Sequence, residues 1–133
     1  MGYEVIPHTA DLAIKVWGRD LPEIFQSAVD GYRFLLAGDA DFAQEKVQEI
    51  KVWADDVESL LVRFLNRLVF LFDTESFLPV SASFDLDGFN LTATVSGVTF
   101  TGTARHCIKA ATYHGLSIDK VEGNLFVTII FDD

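Results

Sequence analysis

Asp11 near one end of the chain and Asp132-Asp133 at the other are the acids placed to do chemistry together. Each adjoins an alternating apolar run. Leu12-Ala13-Ile14-Lys15-Val16-Trp17 follows Asp11, and Leu125-Phe126-Val127-Thr128-Ile129-Ile130-Phe131 leads into Asp132. Alternation with period two reads as a strand with one buried face. If the two strands lie antiparallel side by side, the start of the first meets the end of the second. Asp11, Asp132, Asp133 and the terminal carboxylate would then crowd into one volume. Carboxylates that close repel one another unless a proton or cation intervenes. An all-oxygen donor set selects a hard divalent ion, Ca²⁺ first, with Mg²⁺ or Mn²⁺ as alternatives. His8 lies three residues before Asp11. As a ligand it would favour zinc or manganese. Among oxygen donors it fits better as a local hydrogen-bonding residue that orients the strand start.

The other reactive side chains form weaker constellations. His106-Cys107 and His114 suggest zinc, but one Cys and three His fall short of the usual four-ligand spacing. Cys107 as a nucleophile would need an activating base and electropositive surroundings, so a buried thiol is the expectation. Lys109 precedes Thr112-Tyr113-His114, where strand geometry turns Thr112 and His114 one way and Tyr113 the other. Its ammonium could reach a phosphate, a partner's carboxylate or only water. There is no G-x-S-x-G elbow and no phosphate-cradling G-x-x-x-x-G-K run.

The elements that must position these residues read as follows. After the strand from Asp11 to Trp17, Gly18-Arg19 turns the chain. Asp20 then opens a helix, with Glu23 completing a capping box and Pro22 in the tolerant first turn. Leu21, Ile24, Phe25, Ala28, Tyr32, Leu35 and Leu36 recur at helical spacing, Gly31 suggests close backbone packing, and Gly38 is the expected stop. Residues 45–54 read as a strand, with Val47 and Trp53 facing opposite to Ile50 and Val52. A second helix is capped by Asp55 or Asp56, with Glu58 forming a box with Asp55. Leu60, Leu61, Phe64, Leu65, Leu68 and Phe72 nearly wrap it in apolar surface, so it should be well buried. Pro79 is expected to end that region. Asp87-Gly88 marks a hairpin between 80–86 and 89–95, and a turn is expected near Ser96-Gly97. Residues 98–102 read as a short extended piece or loop, and 103–111 as either a helical turn or irregular chain. A last hairpin pairs 112–121 with 125–131 through Glu122-Gly123-Asn124. Two helices among runs of strands imply an α+β domain spanning 1–133, both helices packed on a mainly antiparallel sheet.

Composition narrows the function. Half of the 133 residues are hydrophobic and twelve are Phe, enough for a packed core rather than a disordered chain. No apolar run is long enough to span a membrane. The N-terminus has neither basic nor apolar signal regions, and the lone Cys cannot form an internal disulfide. Both point to the cytoplasm. The net charge of −10 opposes direct, tight nucleic-acid binding and suits cation binding or docking onto a basic partner.

Three segments also carry a family likeness. His8-Thr9-Ala10-Asp11-Leu12-Ala13-Ile14 resembles the N-terminal signature of the archease family. Lys109-Ala110-Ala111-Thr112-Tyr113-His114-Gly115-Leu116 resembles its second signature, and Val127-Thr128-Ile129-Ile130-Phe131-Asp132-Asp133 its C-terminus. The likeness runs in order over the whole chain. It implies a non-enzymatic accessory protein of the GTP-dependent RNA ligase that acts in tRNA splicing and RNA repair, promoting the ligase's guanylylation and repeated turnover. It also implies a divalent metal held by Asp11 and Asp132, with Asp133 the least secure ligand, and raises Lys109 and His114 as functional candidates. Two other classes remain open. One is a metal-dependent phosphoester hydrolase using the same acids, with His8 as the water-positioning base. The other is a protein-binding module with structural Ca²⁺.

Overall fold

The structure is a computed structural model that describes residues 1–6, 12–112 and 118–133. In chain order its elements are β1 (Gly2–Ile6), β2 (Leu12–Gly18), α1 (Leu21–Ala37), β3 (Lys46–Trp53), α2 (Val57–Glu75), β4 (Phe77–Asp87), β5 (Asn90–Thr99), β6 (Ala110–Ala111), β7 (Ile118–Val121) and β8 (Asn124–Asp132). They form two antiparallel sheets. One runs β1-β2-β8-β6, with β7 also on β8; the other runs β3-β5-β4. The α+β class with two helices holds, but the strands divide into two sheets instead of one.

The helices join the sheets. α1 contacts β1, β2 and β8 of the larger sheet and β4 of the smaller, while α2 contacts β3, β4 and β6. Phe25 of α1, Phe64 of α2 and Phe84 of β4 stack with ring centroids 5.5–5.8 Å apart, tying both helices to the small sheet. Tyr32 of α1 meets Phe131 of β8 at 5.9 Å, fixing the strand that leads to the terminal acids. Gly31 lies directly beneath the larger sheet; a Cβ there would press on Ile14 Cδ1 at 2.6 Å. Burial of Ile50 against 65 % exposure of Val47 shows that β3 alternates as its sequence implies. The outer edge of β4 is closed by α1: the Ala82 N–H donates to Gln26 Oε1 at 2.9 Å, and Arg33 Nη1 donates to the Val80 carbonyl at 2.7 Å. These bonds satisfy backbone groups that would otherwise invite another strand.

Several local expectations are corrected. Asp20 does cap α1 by accepting from the Glu23 N–H at 3.0 Å, but Glu23 returns to the Arg19 N–H, one residue earlier than a capping box requires. Asp56, not Asp55, caps α2 by accepting from the Ser59 N–H at 2.7 Å, so the Asp55–Glu58 box is not formed. α2 ends at Ser76 in left-handed conformation, its N–H bonded to the Phe72 carbonyl. Pro79 instead sits inside β4, where the register shifts before Ser81, a bulge that tolerates a missing N–H. Ser96-Gly97 does not turn; it continues β5 between β3 and β4. The loops close as Gly88-Phe89, with positive φ only at Gly88, and as Glu122-Gly123, with positive φ at both residues. These are the patterns of type II′ and type I′ hairpins. Of the expected strand 112–121, β7 covers Ile118–Val121, residues 113–117 lie outside the described residues, and β6 precedes the range at Ala110–Ala111; β6 and β7 pair on the same side of β8. Residues 103–109 form no regular element. β1 was not anticipated; its five residues pair with β2 from Gly2↔Trp17 to Ile6↔Ala13.

Candidate functional site

β8 carries the site. Val127, Ile129 and Phe131 are buried, whereas Thr128 and Asp132 on the opposite parity are exposed. The inner face therefore anchors the strand and the outer face presents Asp132. β2 flanks β8 antiparallel, meeting the condition set from the sequence, with the register running from Leu12↔Phe131 to Gly18↔Leu125. On the other edge, β6 pairs Ala110 with Asp132 and Ala111 with Phe131. The Lys109 N–H donates to the Asp132 carbonyl at 2.8 Å, and the Thr112 N–H to the Ile130 carbonyl at 3.0 Å. The structure thus brings Lys109 and Asp132, 23 positions apart in the chain, to one end of one sheet. Both side chains are exposed, as is Asp133. His8, Asp11 and His114 lie outside the described residues.

A residue that the sequence did not single out holds this arrangement. Asn66 of α2 receives the Ala111 N–H at 2.8 Å on Oδ1 and donates through Nδ2 to the Ala111 carbonyl at 3.3 Å. Its amide pairs with β6 as another strand would, so a two-residue strand is gripped on both edges. The signal was a lone amide on a helix apolar almost all round.

Asp132 and Asp133 form no ion pair among the described residues. Two exposed carboxylates fit the oxygen donors of a hard divalent ion. Among the described residues no group of three His, Cys, Asp or Glu is close enough to hold a metal. The shifted acids lie elsewhere. The Ser59 N–H holds Asp56 below the ordinary carboxylate range, and the Arg19 N–H does the same for Glu23. Both serve helix starts. Burial first, then the Asp73 carboxylate, pushes the Tyr32 phenol up.

Cys107 is exposed, correcting the buried-thiol expectation: residues 103–109 run as irregular chain over the surface. It borders a cavity of about 260 Å³ with His106 and Asp73. A second hollow, about 350 Å³, opens on the outer face of the larger sheet. There Lys15 Nζ lies 5.2 Å from the Phe126 ring centroid, with Asp119 and Thr128 beside it. No described helix is long and apolar enough to cross a membrane.

The comparisons with known proteins cover nearly the whole chain. Residues 3–132 match the model of the Archease protein family (MTH1598/TM1083). An archease-like protein of Drosophila melanogaster is 35% identical over 148 residues, covering 99% of this chain and 90% of its own. The archease of Archaeoglobus fulgidus is 29% identical, covering 99% of both chains. In structure, protein 1598 of Methanobacterium thermoautotrophicum superposes with a TM-score of 0.81 at 25% identity, over 99% of each chain. A Thermotoga maritima protein named an archease and possible chaperone shares the fold, with a TM-score of 0.65 at 20% identity over 96% of this chain and 94% of its own.

Proposed function

This chain belongs to the archease family, and from that premise we propose that it is an accessory protein of the GTP-dependent RNA ligase of tRNA splicing and RNA repair. In this reading it makes and breaks no RNA bond itself. It promotes guanylylation of the ligase and lets the ligase turn over repeatedly. The observation that supports this on the chain itself is the end of β8, where Asp132 is presented on a strand gripped by β2, β6 and, through β6, Asn66. A rigid tip of that kind suits insertion into another protein's active site.

Asp132, Asp133 and Asp11, which precedes the first residue of β2, would hold a divalent cation, Ca²⁺ or otherwise Mg²⁺ or Mn²⁺. A bound cation of this kind supplies positive charge to phosphate oxygens. The protein's part is to fix the carboxylates, to keep Lys109 beside them, and to bring the acidic surface onto a basic, RNA-handling partner.

The test is RNA ligation with cognate ligase held below the RNA concentration, with GTP and metal, with and without this protein. Product should exceed ligase several-fold only when the chain is present, and Asp132→Asn should abolish the excess while remaining folded. Full stimulation by that variant would refute the metal part. Absence of any stimulation would refute the accessory role. Phosphoester hydrolysis by the isolated protein, lost in His8→Ala, would point to the hydrolase class instead. Independently, millimolar Ca²⁺, Mg²⁺ or Mn²⁺ should raise the melting temperature by mass action, about 2.7 kcal/mol at one hundred times the dissociation constant, and less so in Asp132→Asn.

A further inference from the structure

The exposed face of α2 has a composition at odds with the rest of the chain. In a protein with 20 acids and 10 Lys or Arg, it presents two arginines, each laid on an exposed aromatic ring. The Arg63 guanidinium sits 5.3 Å from the Trp53 ring centroid and donates from Nη1 to the Trp53 carbonyl at 2.6 Å. Arg67, one helical turn on, sits 5.4 Å from the ring of Phe70. Trp53 is 60 % exposed and Phe70 is 52 % exposed. Neither arginine forms an ion pair among the described residues. Asp56 feels the charge of Arg63, but its Oδ1 is committed to the Ser59 N–H. Phe89, also exposed, extends the patch: its carbonyl accepts from the Ala54 N–H, next to Trp53.

Exposed Trp and Phe with Arg are the residue types that dominate protein interfaces, and stacked guanidiniums are pre-ordered for bidentate pairing with carboxylates. Arg63 and Arg67 stand about 6 Å apart along the helix axis, the rise of four residues. The complementary surface is another helix with carboxylates four residues apart. The patch also adjoins the site described above. Asn66, between the two arginines in sequence, is the residue that holds Ala111 of β6. We propose that the Trp53–Arg63–Arg67–Phe70 face of α2 docks an acidic helical segment of the protein partner, orienting the Asp132 tip toward it. The proposal rests on the ligase reading for the partner's identity. A nucleic-acid strand is the weaker occupant, because the chain's overall charge repels a polyanion and the patch is bounded by Asp55 and Asp56 at one end and Asp73 and Glu75 at the other.

The experiment measures binding of the full chain to RNA-free cognate ligase by biolayer interferometry. It uses Arg63→Glu/Arg67→Glu, with Lys46→Glu/Lys120→Glu as a control of equal charge change on exposed strand positions. Circular dichroism melts establish that both variants are folded. The expected result is a loss of about tenfold or more for the arginine pair and a small change for the control. Trp53→Ala should weaken binding in the same direction. Recovery of the arginine variant when two ligase acids, four residues apart on one helix, are changed to Lys would identify the occupant. If wild type stimulates ligation and both double variants bind alike, the docking proposal is overturned while the accessory role stands. If wild type neither binds nor stimulates, both fall. If the arginine variant loses affinity for a single-stranded RNA oligonucleotide but not for the ligase, the face is a nucleic-acid contact and the proposal is wrong.

Discussion

Replacing Asn66 with Ala tests whether β6, and with it the Lys109–Asp132 end of the sheet, is held by its side-chain clamp. Ala111 is only 4 % exposed, so losing the amide leaves its N–H and carbonyl short of partners that water cannot readily replace. A buried backbone group stranded in this way costs about 1–3 kcal/mol. Two groups would cost more, but the longer 3.3 Å bond is the weaker of the pair. Ala also restores roughly 0.5 kcal/mol of helix propensity. The net expectation is a loss of about 2 kcal/mol. With an unfolding entropy of about 2.1 cal/mol/K per residue over 133 residues, that lowers Tm by about 7 °C. Urea denaturation supplies the energy, and hydrogen exchange at the Ala111 amide supplies the location. Asn66→Asp keeps the acceptor and loses the donor, so protection of the Ala111 amide should survive in it while the stability does not. Unchanged stability in Asn66→Ala, with Ala111 still protected, would refute the clamp and leave β6 dependent on β8 alone.

Two further perturbations follow from the packing and the charges. Gly97→Ala should destabilise by about 3 kcal/mol in urea melts, because its Cβ would overlap the Leu78 carbonyl and lie 2.8 Å from the Phe77 ring, and backbone has little room to yield. The same stability in Gly97→Ala as in wild type would mean that β4 and β5 separate at the Pro79 bulge. Asp56 and Glu23 titrate below their ordinary values of 3.8 and 4.5 in the folded protein. Their contribution is therefore complete above those values and lost as pH falls through the lower folded ones. Below about pH 4 the melting temperature should drop, and Asp56→Asn with Glu23→Gln should flatten that slope. An unchanged acid limb would assign acid unfolding to other carboxylates.

How much of this was legible beforehand depends on the range of the interaction. Helix α1 follows from Asp20, the apolar spacing and Gly38, and the closing hairpin from Glu122-Gly123, since each signal acts within a few residues. The pairing of β2 with β8 was inferred from two alternating runs ending in acids. It succeeds because a one-residue slip would turn Ile14 and Ile129 out of the core. Asp20 and Asp56 are caps the sequence offered, but the return bond of Glu23 goes to the Arg19 N–H and Asp55 is passed over, because neighbouring groups offer similar local chemistry and only the chain's entry angle chooses between them. β1 escaped notice because Tyr3-Glu4-Val5-Ile6 is short and becomes a strand by pairing with β2. The chain by itself determined the helices, the hairpins and the acids that end β8, all of which follow from local propensity and from periods of two and 3.6. Tertiary structure alone decided that the strands split into two sheets, that Gly97 continues a strand, that Asn66 grips Ala111 across 45 positions, and that Arg63 reaches Trp53. Those choices depend on which surfaces meet once the core has closed, and residues far apart in the chain carry no local trace of that meeting.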